Sequence, residues 1–234
     1  MRDVFCWRMV PLLALLWPLT SVAGSNAPAI VPLPVPRPAE ISGSAPVESK
    51  SGQACAKWLE SGMVRASPAP QKDAQPGCEI TDPVQLNTIV LPDGGMVTVQ
   101  PAALLRCSFA LALANWVSGE VVKLLPPNQR LVRIEIAGAY ECRGRNRVAA
   151  AKLSEHATGN AIDITAFVTG KDQRLEIARQ ASASAFFTAL QSSACKTFMT
   201  VLGPGSDGFH ETHLHLDLQQ RSNGSHFCQW TVGG

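Results

Sequence analysis

Charge is scarce in this chain: 16% of its 234 residues are Asp, Glu, Lys or Arg, and the formal net charge is +2. So weak a field cannot neutralise a phosphate backbone, and nucleic acid is not an expected partner. Long apolar runs are also missing. The longest, residues 9–19, is too short to span a bilayer comfortably and is interrupted by Pro11 and Pro18. There is no C-x-x-C pair, which argues against a thiolate metal cluster, and no internal repeat is visible. Histidine is sparse, with five in the chain, so where those five fall carries information.

What is present suits one globular domain. Hydrophobic residues make up 46% of the chain, enough for a core in a domain of roughly 150–200 residues. The first residues carry Arg2 and Arg8, then the short apolar run, then Ser21-Val22-Ala23. That order predicts a secretory signal peptide over 1–23, cleaved after Ala23 and leaving no membrane span. Cys6 precedes the apolar run and is misplaced for a lipid-anchored cysteine. Of the seven cysteines, six then remain in the mature chain, an even number that fits structural disulfides in an oxidising compartment. Their pairing is open from sequence; Cys55 with Cys78 and Cys195 with Cys228 are the expected pairs. Residues 24–52 are rich in Pro, with Pro32, Pro34, Pro36 and Pro38 at every second position, and predict an extended linker. The folded domain is expected over 53–234.

Within that domain, Pro101, Ala103, Leu104, Phe109, Leu113, Trp116 and Val117 predict a buried helix over 101–118. Val132, Ile134 and Ile136 alternate with Arg133 and Glu135, the pattern of a half-buried strand. A helix is expected from about 175 to 194, and a surface loop over 67–78.

Four of the five histidines fall in two short segments with carboxylates and glycines. In Gly208-Phe-His-Glu-Thr-His-Leu-His-Leu-Asp-Leu-Gln219, strand alternation would put His213, His215 and Asp217 on one face and Leu214, Leu216 and Leu218 on the other. In Ser154-Glu-His-Ala-Thr-Gly-Asn-Ala-Ile-Asp163, a strand from Asn160 to Phe167 would turn Asp163 to one face, and Gly159 would let His156 fold back toward it. Two such strands side by side bring His156, Asp163 and His215 to one point, a nitrogen and oxygen donor set suited to tetrahedral zinc with one open position. His213 and His210 would remain for proton transfer and oxyanion stabilisation. Asp217 is expected to support a ligand, Glu155 and Glu211 to be solvated, and His226 to lie on the surface.

At these residues the chain resembles a known group. Ser154-x-His156-x-x-Gly159-x-Ala161-x-Asp163 followed by His213-x-His215 is similar to the signature of zinc D-alanyl-D-alanine carboxypeptidases, murein endopeptidases and hedgehog-type domains. With Tyr140-Glu-Cys-Arg143, Leu202-Gly-Pro-Gly205 and His210 added, the stretch from Cys55 to Cys228 resembles the bacterial extensin-like C-terminal domain family, a name that implies no plant cell-wall role. The resemblance implies Zn2+ on His156, Asp163 and His215. It implies a catalytic part for His210, five positions before the last ligand; the alternative glutamate, three before it, is Thr212 here. It also implies an arginine on the substrate carbonyl, for which Arg143 is the candidate and Arg145 and Arg147 are rivals. The implied fold is α+β: a small antiparallel sheet carrying the zinc cleft, helices on the other side, and disulfides. The implied activity is hydrolysis of peptidoglycan stem peptides in the periplasm or cell envelope. A non-catalytic, zinc-stabilised cell-wall-binding domain is the alternative.

Overall fold

The computed structural model describes residues 50–71, 74–148 and 150–233. The signal peptide and nearly all of the linker expected from the sequence lie outside them. The first element, α1 (Lys50–Glu60), begins inside the stretch read as linker. Strands β1 (Val64–Pro68), β2 (Pro83–Val90) and β3 (Met96–Arg106) follow, then α2 (Cys107–Gly119) and β4 (Leu131–Gly138). Next come β5 (Ala161–Thr169), β6 (Arg174–Glu176), α3 (Ser184–Thr197), β7 (Thr200–Leu202), β8 (Leu214–Asp217) and β9 (Phe227–Gln229).

The α+β class holds, but the sheet is neither small nor purely antiparallel. Nine strands join in the order β1-β2-β3-β4-β5-β8-β7-β9, with β6 also on β5. β3 pairs β4 in parallel, as does β7 with β9. The strand at 132–136 falls within β4 as expected, and the strand at 160–167 is β5. The helix expected over 101–118 starts later, at Cys107. Residues 101–106 finish β3, where Ala103 and Leu105 are buried and their neighbours are less so. Alternating burial in a sheet outweighed a proline that also suits a first helical turn. The helix expected over 175–194 likewise resolves into β6, a 3-10 segment at Ile177–Ala183, and α3. The loop expected over 67–78 is shortened because Ser67 and Pro68 close β1.

The core lies between one face of the sheet and the helices. Phe109, Leu113, Trp116 and Val117 fall on one stripe of α2, all buried. Trp116 meets Phe167 of β5 edge-on with ring centroids 6.4 Å apart, and Phe198 at 5.2 Å. A bulge decides which side of β5 faces them. Ile136 pairs with Ile164 while Glu135 pairs with Ala166, so Thr165 is the extra residue. Ile162, Ile164 and Phe167 therefore all join the core, across an odd spacing that strict alternation forbids.

Three disulfides brace this frame. Cys195–Cys228 is as expected. Cys55, however, pairs with Cys107, and Cys78 with Cys142. The expected Cys55–Cys78 link fails because α1 lies against α2, whose first residue is Cys107. Among the described residues, no helix is long and apolar enough to cross a membrane.

On the sheet surface, Glu135 accepts from Arg174 at 2.6 Å and from Arg133 at 3.2 Å. The Arg174 hydrogen bond leads in holding the Glu135 carboxyl below its ordinary value, against a smaller opposing effect of burial. A depressed carboxyl contributes stability above its unfolded-state pKa of about 4.3 and loses it as pH falls through the folded value. Glu135→Gln should therefore cost no more than about 1 kcal/mol at neutral pH. Urea titrations should find that difference vanishing in acid.

Candidate metal centre

The face of β5 and β8 away from the core holds the polar residues. The two strands pair antiparallel, with Ile162 opposite Leu216 and Ile164 opposite Leu214, all buried in the core. The same register sets Asp163 directly opposite His215 and Ala161 opposite Asp217. Because side chains alternate along a strand, anchoring the leucines and isoleucines inward forces Asp163, His215 and Asp217 together on the other side.

His156 arrives from a 3-10 turn, Glu155–Thr158. Ser154 caps the turn, its Oγ accepting from His156 N at 3.4 Å, and Gly159 closes it in the left-handed region at φ +63°. The turn is docked on the end of β3: Arg106 N donates to Gly159 O at 2.8 Å, and Arg106 Nε to Thr158 O at 3.1 Å. Asn160 Nδ2 holds the Glu155 carboxylate at 2.6 Å.

The three donor atoms form a small triangle. His156 Nε2 lies 3.2 Å from Asp163 Oδ1 and 3.1 Å from His215 Nδ1, and His215 Nδ1 lies 2.9 Å from Asp163 Oδ1. Zinc bonds of about 2.0–2.2 Å set the corners of a tetrahedron roughly 3.3–3.6 Å apart, so the triangle is close to one face of such a shell. The outer ring nitrogens are spoken for. His156 Nδ1 donates to Ala139 O at 2.5 Å, and His215 Nε2 donates to Asp217 Oδ2 at 3.1 Å. Each contact puts a proton on the outer nitrogen and aims the inner lone pair at the common centre, the support that metal-bound histidines receive.

The electrostatics agree that this point accepts positive charge. Burial alone would push His215 down, but hydrogen bonds and charge from Asp163 and Asp217 outweigh it and raise it to about 9. Burial likewise opposes ionisation of Asp163, yet its close contacts with His156 and His215 hold its carboxyl far below the usual range. The same two carboxylates that favour positive charge on His215 would favour a divalent ion at this point.

The remaining expected residues line the same cleft, of about 430 Å³. His213 sits just before β8 rather than in it, with Nε2 3.7 Å from Asp163 Oδ1, beyond hydrogen-bond range. Burial lowers its pKa, and attraction to Asp163 only partly offsets this. The His210 ring lies 5.1 Å from that of His213 and 5.5 Å from that of His215. Arg143 lines the cleft too, its Nε donating to Glu141 at 2.9 Å and its guanidinium also reaching Gly144 O. Arg147 grips both oxygens of Glu141. Arg145 lines the cleft and, among the described residues, has no such partner. Glu211 accepts from Gly205 N, and His226 is exposed. Two contributors escaped the sequence reading: the Ala139 carbonyl, which no side-chain pattern could reveal, and Asp207, whose Oδ1 accepts from His210 Nδ1 at 2.7 Å. The Asp-x-x-His spacing between flanking glycines was the available signal for the second.

Residues 53–229, most of the chain, match the family model described as extensin-like protein C-terminus. The chain belongs to the extensin-like C-terminal family. The match takes in all three residues of the donor triangle and all three disulfides of this extensin-like domain. Searches of curated proteins and of solved structures return no match.

Proposed function

We propose that this extensin-like domain is an exported zinc-dependent hydrolase of peptide amides in peptidoglycan, of the D-alanyl-D-alanine carboxypeptidase or murein endopeptidase type. One observation carries the reading: three metal-donor atoms, His156 Nε2, Asp163 Oδ1 and His215 Nδ1, converge at the floor of a cleft, with both outer imidazole nitrogens already satisfied. Two nitrogens and one carboxylate oxygen are a donor set that zinc accepts while keeping a position open. When bound there, zinc supplies Lewis-acid polarisation of a carbonyl and lowers the pKa of a water to about 7. The protein's own part is to hold these three donors in place, to shut bulk solvent out on the core side, and to present His210, His213 and the arginines to the substrate. Arg143, its guanidinium fixed by Glu141 and the Gly144 carbonyl at the cleft, is the arginine we assign to the substrate carbonyl. Export to the periplasm or envelope is supported by the three disulfides, which persist in oxidising compartments.

The test is zinc content of the purified chain together with incubation on isolated peptidoglycan. Stoichiometric zinc and released peptide fragments are the expected result. Zinc without release would move the function to a zinc-stabilised wall-binding domain, and a well-folded protein that takes up no zinc would end the proposal. Asp217 supplies a graded check. Asp217→Asn keeps the shape but weakens the acceptor behind His215, and zinc affinity measured by competition with a chelating dye should fall about 10–100-fold.

A further inference from the structure

The loop between β7 and β8 carries a carboxylate that metal binding leaves without a task. Gly205 and Gly208, both at φ +78°, bracket Asp207. Its Oδ1 accepts from Phe209 N at 3.0 Å, from Ser206 Oγ at 3.3 Å and from His210 Nδ1 at 2.7 Å. The Glu211 carboxylate accepts from Gly205 N at 3.1 Å and closes the loop on itself. His210 is 7% exposed, so its ring is set by the protein rather than by solvent.

A neutral imidazole has one donor and one acceptor nitrogen, and an ionised carboxylate can only accept. Burial opposes ionisation of Asp207, but the hydrogen bonds from His210 and Phe209 N outweigh it and keep the carboxyl below its ordinary value. The proton of His210 therefore sits on Nδ1, and the basic lone pair is on Nε2, on a ring that lines the cleft beside His213 and His215. His213 differs. Its Nε2 lies 3.7 Å from Asp163 Oδ1, beyond hydrogen-bond range, and among the described residues no carboxylate is hydrogen-bonded to it as Asp207 is to His210.

We infer that Asp207 is a positioning residue: it holds His210 in the Nδ1–H tautomer, so that His210 Nε2 carries the proton of the hydrolytic step while His213 donates an N–H to the carbonyl oxygen. This rests on the hydrolase reading above. As the water oxygen bonds to the carbonyl carbon, one water proton moves to His210 Nε2. The same proton passes to the amide nitrogen as the C–N bond breaks. The second water proton also ends on the amine, leaving a carboxylate and an ammonium group. Asp207, itself exposed but hydrogen-bonded to Nδ1, compensates the imidazolium that exists between the two transfers, the task a carboxylate performs behind a catalytic histidine.

The experiment uses the zinc-loaded full chain. Long-range ¹⁵N–¹H spectra should show His210 protonated on Nδ1 in the wild type and shifted toward the Nε2–H tautomer in Asp207→Ala. With peptidoglycan fragments as substrate, Asp207→Ala should lower kcat about 10²-fold or more and leave KM within about twofold. Asp207→Asn keeps an acceptor for Phe209 N, which guards against a collapsed loop, but carries no charge to compensate the imidazolium; it too should lower kcat about 10²-fold or more. Asp207→Glu should recover part of the rate. A wild-type His210 protonated on Nε2, or Asp207 variants that fold, bind zinc and turn over at the wild-type rate, would overturn the assignment and leave the hydrolase standing. A zinc-loaded wild type that releases no fragment would overturn both.

Discussion

Asp163→Asn and His215→Ala should each yield protein without stoichiometric zinc, and hydrolysis of peptidoglycan should fall on the order of 10³-fold or more. The size follows from the several kcal/mol that a metal contributes to charge stabilisation in the transition state, at about 1.4 kcal/mol per tenfold. The two variants should part company in stability. An asparagine in place of Asp163 keeps the shape of the side chain but takes away one of the two carboxylates that support positive charge on His215, so Asp163→Asn should lower metal-free stability, though by less than His215→Ala because Asp217 remains. His215 is the group that compensates Asp163 and Asp217 together. Removing it leaves two buried carboxylates without their shared partner, a loss of about 3–5 kcal/mol by the usual penalty for breaking a buried pair. Metal analysis, urea titration of the metal-free proteins and fragment release separate the two effects. An Asp163→Asn protein that still held one zinc per chain would show that the ion sits elsewhere.

Gly159→Ala should damage the same site from outside it. The residue lies at φ +63°, and an added Cβ would come within 2.7 Å of Arg106 N and 3.1 Å of Leu105 C. These are backbone atoms at the end of β3 and cannot swing aside, so the turn carrying His156 must lift. The backbone conformation alone costs about 1–3 kcal/mol for a residue with a side chain, and the clash adds to it. A ligand displaced by about 1 Å should lower activity roughly 10²-fold. Gly94→Ala is the control. That glycine also has a positive φ, +81°, but a Cβ there meets nothing within 4 Å. It should lose the backbone contribution only, with zinc binding intact. If Gly159→Ala bound zinc as tightly as Gly94→Ala, the turn would not be what positions His156.

Local chemistry was legible wherever a short segment decides its own geometry. In β8, alternation of Leu214, His215, Leu216 and Asp217 names the two faces without help, because a strand turns successive side chains to opposite sides. In residues 154–163, a capping serine, a histidine, a left-handed glycine and a strand aspartate specify a turn running into a strand, and the structure has that turn and strand. Other local signals misled. Pro101 fits the first turn of a helix, but residues 101–106 continue β3, where pairing with β2 and burial of Ala103 and Leu105 prevail.

By itself, then, the sequence determined the strands β4, β5 and β8 and which of their side chains share a face, because a spacing of two residues sets each of these; the α+β class came with the family resemblance. Only the tertiary structure decided the nine-strand mixed sheet, the Cys55–Cys107 and Cys78–Cys142 links, the bulge at Thr165 that sends Phe167 inward, and the Ala139 carbonyl and Asp207 carboxylate behind two of the histidines. Each of these depends on which distant segments lie side by side. Burial of the whole apolar surface selects that arrangement, and no short stretch of residues can express it.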